Sequence, residues 1–155
     1  MTATAVQMVP MRWWHIEQVA ALEQQLFPVD AWSTEQFWAE LAQPTRSYFL
    51  AVHDDAVLGY AGLFALPPDA DVQTIAVSPD AQGKGIGRLL LDELIGQAIA
   101  RGCTQLVLEV RSDNTAALSM YEHRGFEQLN TRRDYYAPGV DALIMRLKPL
   151  QGSPE

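Results

Sequence analysis

"TIAVSPDAQGKGIGRLLLDELI" runs from Thr74 to Ile95. An apolar, β-like run closes at Val77, a polar turn follows, and glycines stand at 83, 85 and 87 before a leucine-rich helix. Glycine serves where a backbone must take positive φ or approach another group closely. A helix start leaves its first N–H groups without intrahelical partners and carries the positive end of the helix dipole. Lys84 and Arg88 lie beside those groups. Together these features describe an anion seat of the kind that takes a phosphate.

Two common phosphate loops do not fit. A P-loop needs Ser or Thr after its Gly-Lys, and Gly83-Lys84 is followed by Gly85. A dinucleotide fingerprint needs GxGxxG and a later acidic residue at a strand end, whereas this spacing is GxGxG and Cys103 to Leu108 offer no acid. The pattern that is present is Q-x-x-G-x-G, formed by Gln82, Gly85 and Gly87.

Outward from the turn, the chain alternates between patterns. "WWHIEQVAALEQQLF" reads as a helix with Ile16, Val19, Ala20, Leu22, Leu26 and Phe27 on one stripe. Ser33 and Gln36 fit a capping box for a second helix. Ala5 to Val9 suits a first strand, and two strands meet at Asp54-Asp55, with "PPDAD" as the next turn. The glycine-led helix ends near Gly102, and "QLVLEV" is a nearly continuous apolar run, as expected of a buried strand. "NTAALSMYEHRG" is a further helix from Asn114 to Gly125, and two strands close the chain. The order predicts an α+β or α/β fold with a mixed sheet. Residues 3–149 are expected to form one domain and 150–155 a flexible tail.

Composition bounds the function. Of 155 residues 48% are hydrophobic, with no apolar run long enough to span a membrane and no signal-peptide pattern at the start. One cysteine, Cys103, allows no intramolecular disulfide and no Cys-based metal site, and three scattered histidines offer no metal-ligand spacing. These features suit a cytoplasmic protein without a metal. A net charge of −8 argues against nucleic-acid binding and favours a cationic partner.

Q-x-x-G-x-G at a strand–helix junction resembles the acetyl-CoA pyrophosphate loop of the GNAT N-acetyltransferases. "NTAALSMYEHRGF" is similar to the closing segment of that superfamily, N-x-x-A-x-x-x-Y-x-x-x-G-F. "FPVDAWS", "LEVRSDN" and "RRDYY" resemble the bacterial ribosomal-protein-alanine N-acetyltransferases of the RimI type, although Phe27 and Trp32 are further apart than in the compact form of that motif. The resemblance implies a GNAT fold, with a mostly antiparallel sheet flanked by helices on both faces. It also implies transfer of acetyl from acetyl-CoA to a protein N-terminal amine, with a lysine side chain or small amine as the alternative acceptor and a non-catalytic acyl-CoA-binding module as the rival from another class; a monomer is expected. The expected cofactor contacts are Ile75, Ala76, Val77, Gln82, Gly83, Lys84, Gly85, Ile86, Gly87, Arg88 and Asn114. The Val77 N–H would be the oxyanion donor.

Two residues carry the expected chemistry. Glu109 lies inside the apolar "LVLEVR", and pairing with Arg111 on the same strand face is the structural alternative. The resemblance makes Glu109 a general base acting through water. An N-terminal amine has a pKa of about 7.7–8.0 against about 10.4 for lysine, so deprotonation at neutral pH costs about 1 rather than about 4 kcal/mol. Tyr121 lies two helical turns after Asn114, a place where a tyrosine is ordinarily core. The resemblance aims its hydroxyl at the thioester sulfur as general acid. At its ordinary pKa of about 10, against about 8.5 for a thiol, that transfer is uphill by about 2 kcal/mol. Trp32, Tyr135 and Tyr136 are candidates for a wall around the peptide N-terminus or for ordinary core. Cys103, in a helix-to-strand turn, reads as a small buried filler.

Overall fold

Asp54 and Asp55 both take positive φ, 49° and 65°, as two-residue hairpin turns of the mirrored type require. They join β2 (Arg46–His53) to β3 (Ala56–Leu66), with His53 opposite Ala56 and Leu50 opposite Tyr60. This is the hairpin predicted from the sequence. The other strands are β1 (Gln7–Pro10), β4 (Asp69–Val77), β5 (Gln105–Arg111), β6 (Glu127–Ala137) and β7 (Val140–Leu147). In the computed structural model, which describes residues 6–150, the seven strands form one sheet in the order β1-β2-β3-β4-β5-β7-β6. β4 and β5 run parallel, and the pairs β1–β2, β2–β3, β5–β7 and β6–β7 are antiparallel. The sheet is therefore mixed and mostly antiparallel, as expected. Four helices accompany it: α1 (Ile16–Leu26), α2 (Thr34–Leu41), α3 (Ile86–Ala100) and α4 (Thr115–Arg124).

The described residues fall into two compact units. The first holds those up to Phe64 with Gln73–Gln97, and the second holds Ala65–Val72 with those from Ala98 onward. β4 contributes to both: its Asp69–Asp71 end pairs with Gln105–Val107 inside the second unit.

In the first unit, Ile16 and Val19 of α1 and Phe37 of α2 pack with Tyr48, Leu50, Tyr60 and Ala76 into one apolar cluster. α2 opens as its sequence dictates: the Ser33 hydroxyl accepts from the Gln36 N–H at 3.1 Å, and the Gln36 side chain accepts from the Ser33 N–H at 2.8 Å. That satisfies two otherwise orphaned donors. In the second unit, Leu106, Leu108, Val110, Ala142, Met145 and Leu147 form the buried face of β5 and β7. Cys103 is buried there, as the filler reading expected.

Four details depart from the sequence reading. "PPDAD" is not all turn: β3 runs on to Leu66 and β4 starts at Asp69, because Asp69, Ala70 and Asp71 find ladder partners on β5. β5 is not buried on both faces. Leu106, Leu108 and Val110 point inward while Glu109 and Arg111 are exposed, the alternation of a strand covered on one side only. Leu150, assigned to the tail, is 1% exposed and donates its N–H to the Thr104 carbonyl at 3.2 Å. Its apolar side chain gains more from burial than the chain end gains from fraying. Trp13–His15, read as part of the first helix, form a separate 3-10 turn ahead of α1. Ala5 lies outside the described residues.

Candidate active site

The glycine turn belongs to the first unit. Gly83 and Gly85 have φ of 78° and 82°, and α3 begins at Ile86. Left-handed backbone strains any residue with a Cβ, which explains glycine at both places. A Cβ at either would meet nothing within 4 Å, so the turn faces open space and leaves room for a bound group. The Gln82 amide donates to the Val77 carbonyl at 3.1 Å and ties the turn to the end of β4. Lys84 and Arg88 are exposed beside the helix start. The first N–H groups of a helix have no i−4 acceptor. Open backbone donors, a dipole end and two cations fit a pyrophosphate.

Ile75, Ala76 and Val77 form the last residues of β4 in the same unit, with Ala76 buried. Trp32 belongs to this unit as well. It packs on the apolar cluster, 5.3 Å from the Phe37 ring, so it is at least partly core.

The second unit carries Glu109, Tyr121, Asn114, Tyr135 and Tyr136. Glu109 retains 32% side-chain exposure and pairs at 3.6 Å with Arg132 of β6. Register explains the reach: Ile144 of β7 lies opposite both Glu109 and Asn130, so residues two strands apart share a face. Arg111, the alternative partner read from the sequence, places its guanidinium on Asp113 at 3.0 and 3.1 Å. Asn114 caps α4 by accepting from the Ala117 N–H at 3.2 Å. At the other end Gly125, with φ 108°, donates to the Glu122 carbonyl, and Phe126 donates to that of Tyr121. This pairing closes the helix and anchors Tyr121 at its last turn.

Tyr121 is 7% exposed and its ring lies 5.6 Å from that of Phe126. Burial alone pushes its hydroxyl up to about 12. The gap to a thiol at about 8.5 is then about 3.5 units, or about 5 kcal/mol rather than about 2. Tyr135 is 53% exposed and Tyr136 half-buried, so neither is ordinary core. The two rings meet edge to face at 5.1 Å, with Arg132 over Tyr135 at 5.3 Å and Arg111 over Tyr136 at 5.1 Å.

Two groups escaped the sequence reading. Glu23 of α1 is 5% exposed, accepts from the Tyr60 hydroxyl and takes the Trp32 N–H at 3.1 Å. Burial first, then the hydrogen bond to Glu23, hold the Tyr60 hydroxyl well above the usual tyrosine range. The signal was in the stripe: positions 16, 19, 20, 23, 26 and 27 face one way, and only 23 is charged. Arg132 had no such signal, because its partner is set by strand order.

A strand end leading through a glycine turn into α3, and an Asn-capped, Gly-ended helix after β5, are the two segments whose sequences resemble the acetyl-CoA-dependent N-acetyltransferases. Residues 13–126 match the acetyltransferase (GNAT) family, and the chain belongs to that family. It is 45% identical over 136 residues to the N-alpha-acetyltransferase RimI of Mycobacterium tuberculosis, covering 84% of each chain. It is 37% identical over 137 residues to the ribosomal protein bS18-alanine N-acetyltransferase of Salmonella typhimurium, covering 86% of this chain and 87% of that one. The crystal structure of the ribosomal-protein-S18-alanine N-acetyltransferase from Escherichia coli superposes with a TM-score of 0.86 at 30% identity, over 97% of both chains. Proteins of the GNAT family use acetyl-CoA. No helix among the described residues is long and apolar enough to cross a membrane.

Proposed function

We propose that the chain transfers acetyl from acetyl-CoA to the N-terminal α-amine of a protein, an N-terminal alanine of a small-subunit ribosomal protein. The observation that carries this reading is the likeness, over more than four-fifths of the chain, to relatives named for that reaction. The chain is read as a single cytoplasmic domain, active as a monomer, and the family match runs through both compact units.

In this reading the cofactor contacts are Gln82 to Arg88, Ile75 to Val77, and Asn114. Acetyl-CoA supplies a thioester activated toward amines. The Val77 N–H stabilises the oxyanion as the amine adds. Glu109, exposed enough to meet solvent, takes the proton of the amine through water. Tyr121 returns a proton to the departing sulfur. Trp32, Tyr135 and Tyr136 are the candidate contacts for the incoming N-terminus. A lysine acceptor is the weaker alternative, because its amine is about 2.5 units more basic.

The test is a panel of short peptides differing at the first residue, with internal-lysine peptides and polyamines, followed by CoA release. Turnover confined to free N-termini, best with alanine, is expected. Preference for lysine or a polyamine would reject the assignment. Gly85→Val should raise the acetyl-CoA KM about tenfold or more with the fold intact, since a β-branched residue resists φ of 82°. Unchanged cofactor affinity would remove the pyrophosphate role of the turn.

A further inference from the structure

Three tryptophan side chains of the first unit lie in solvent. Trp13 is 61% exposed, Trp14 60% and Trp38 50%. Trp13 stacks on Trp38 with centroids 6.3 Å apart and planes at 18°, and meets Trp14 edge-on at 5.6 Å. The rings thus form one continuous aromatic patch, although they come from two separate elements. Contiguous exposed aromatic surface marks interaction sites, and tryptophan dominates the energetics of such sites.

Charge identifies the partner. From Trp13 to Thr45 the chain has five acidic residues and no lysine or arginine. Glu23 is buried, and Glu40 is held by Arg46 and Tyr48 at 2.9 Å each. Glu17, Asp30 and Glu35 remain exposed. Glu35 precedes Trp38 by three residues in α2 and Glu17 follows Trp14 by three, a spacing that puts each acid on the same side of its helical stretch as a ring. Arg12 is the neighbouring cation. His15 adds no charge at neutral pH, because burial and then Arg12 lower its pKa.

We propose that this patch docks a Lys/Arg-rich segment of a partner protein. The segment's cations lie over the tryptophan faces and pair with Glu17 and Glu35. A cation is attracted to the face of an exposed aromatic ring, and three adjoining rings offer several such seats. A second copy of this chain, a nucleic acid or an anionic membrane would instead meet a net charge of −8. The docking surface is independent of the acetyl-transfer reading.

The experiment is fluorescence anisotropy with a labelled Lys/Arg-rich peptide whose N-terminus is blocked, so that it cannot enter as an acceptor amine. The wild-type protein should bind it, more tightly at low salt than at high salt. Trp13→Ala/Trp38→Ala should weaken binding about tenfold or more. Glu17→Gln/Glu35→Gln, which keeps every ring, should weaken it several-fold and flatten the salt dependence. This second pair decides the matter if the tryptophan variant fails to fold. The proposal is overturned if a Glu-rich peptide of equal length binds as well, or if the wild type binds neither. It is equally overturned if the folded variants bind like the wild type.

Discussion

Each unit carries a glutamate and a tyrosine, and treats them in opposite ways. In the first, Glu23 and Tyr60 bond to each other inside the core, and the second carboxylate oxygen of Glu23 holds the Trp32 N–H. In the second, Glu109 is a third exposed and shares one long ion pair with Arg132, while burial alone raises Tyr121. A pair whose hydrogen-bonding capacity is spent internally is architecture. Glu109, by contrast, keeps a carboxylate open to water, and the Tyr121 hydroxyl is not spent on that carboxylate. The same two residue types therefore serve stability in one unit and, in the proposed function, chemistry in the other.

The sharpest way to break this contrast is Glu109→Gln. A general base contributes typically about 10²–10⁴-fold, so kcat should fall by about that much near neutral pH. Part of the loss should return at high pH, where the amine is already neutral. Near-normal turnover would return Glu109 to a purely structural ion pair.

Glu23→Ala should act on stability instead. It leaves the Tyr60 hydroxyl and the Trp32 N–H buried without their acceptor, at about 1–3 kcal/mol each. A loss of about 2–6 kcal/mol should lower the thermal midpoint by on the order of 10 °C. Glu23→Gln, which still accepts, should lose less. Calorimetry of both variants checks the claim, and equal losses would mean that the acceptor role is wrong.

The two tyrosines make a matched pair. Tyr60→Phe removes a hydrogen bond to a buried carboxylate, which should cost about 1.5–3 kcal/mol while kcat stays near wild type. Tyr121→Phe keeps its ring packing against Phe126 and should fold normally, with kcat down tenfold or more and acetyl-CoA affinity little changed, where "tenfold" corresponds to about 1.4 kcal/mol in the transition state. Because burial pushes the Tyr121 hydroxyl up to about 12, it stays protonated through the working range, and its ionisation should produce no limb in the rate profile below about pH 11. Both tyrosines hold their protons beyond the unfolded value of about 10, so the unfolded chain ionises first. Folding stability is thus intact below about pH 10 and falls above it. A reversed pattern, with Tyr60 controlling rate and Tyr121 controlling stability, would overturn the comparison.

The smallest effect belongs to Arg132→Gln. Its pair with Glu109 is long and half in solvent, worth about 0–1 kcal/mol. The thermal midpoint should move by no more than a few degrees. A large stability loss would show that Arg132 supports the sheet rather than merely facing Glu109.

Much of this was legible locally. The Asp54-Asp55 hairpin, the Ser33/Gln36 capping box, the Asn114 cap and the glycine termini each depend on residues within a few positions of one another, so sequence spacing is enough to specify them. The glycine turn belongs to the same class, since positive φ at 83 and 85 is a property of the backbone itself. The alternation of β5 was not legible. Leu106, Val107 and Leu108 are all apolar, and only the covering of one face by the rest of the second unit leaves Glu109 exposed.

The sequence by itself determined which residues could do chemistry and where the chain must turn, because residue type and local backbone preference are written in single positions and short spacings. Tertiary structure alone decided which of those residues are free to act. It buried Glu23 against Tyr60, brought Arg132 to Glu109 across an intervening strand, and raised Tyr121 by enclosing it. It also set Trp13 against Trp38 in the open. Solvation and partnership arise from contacts between residues far apart in the chain, and those contacts exist only once the sheet order is formed.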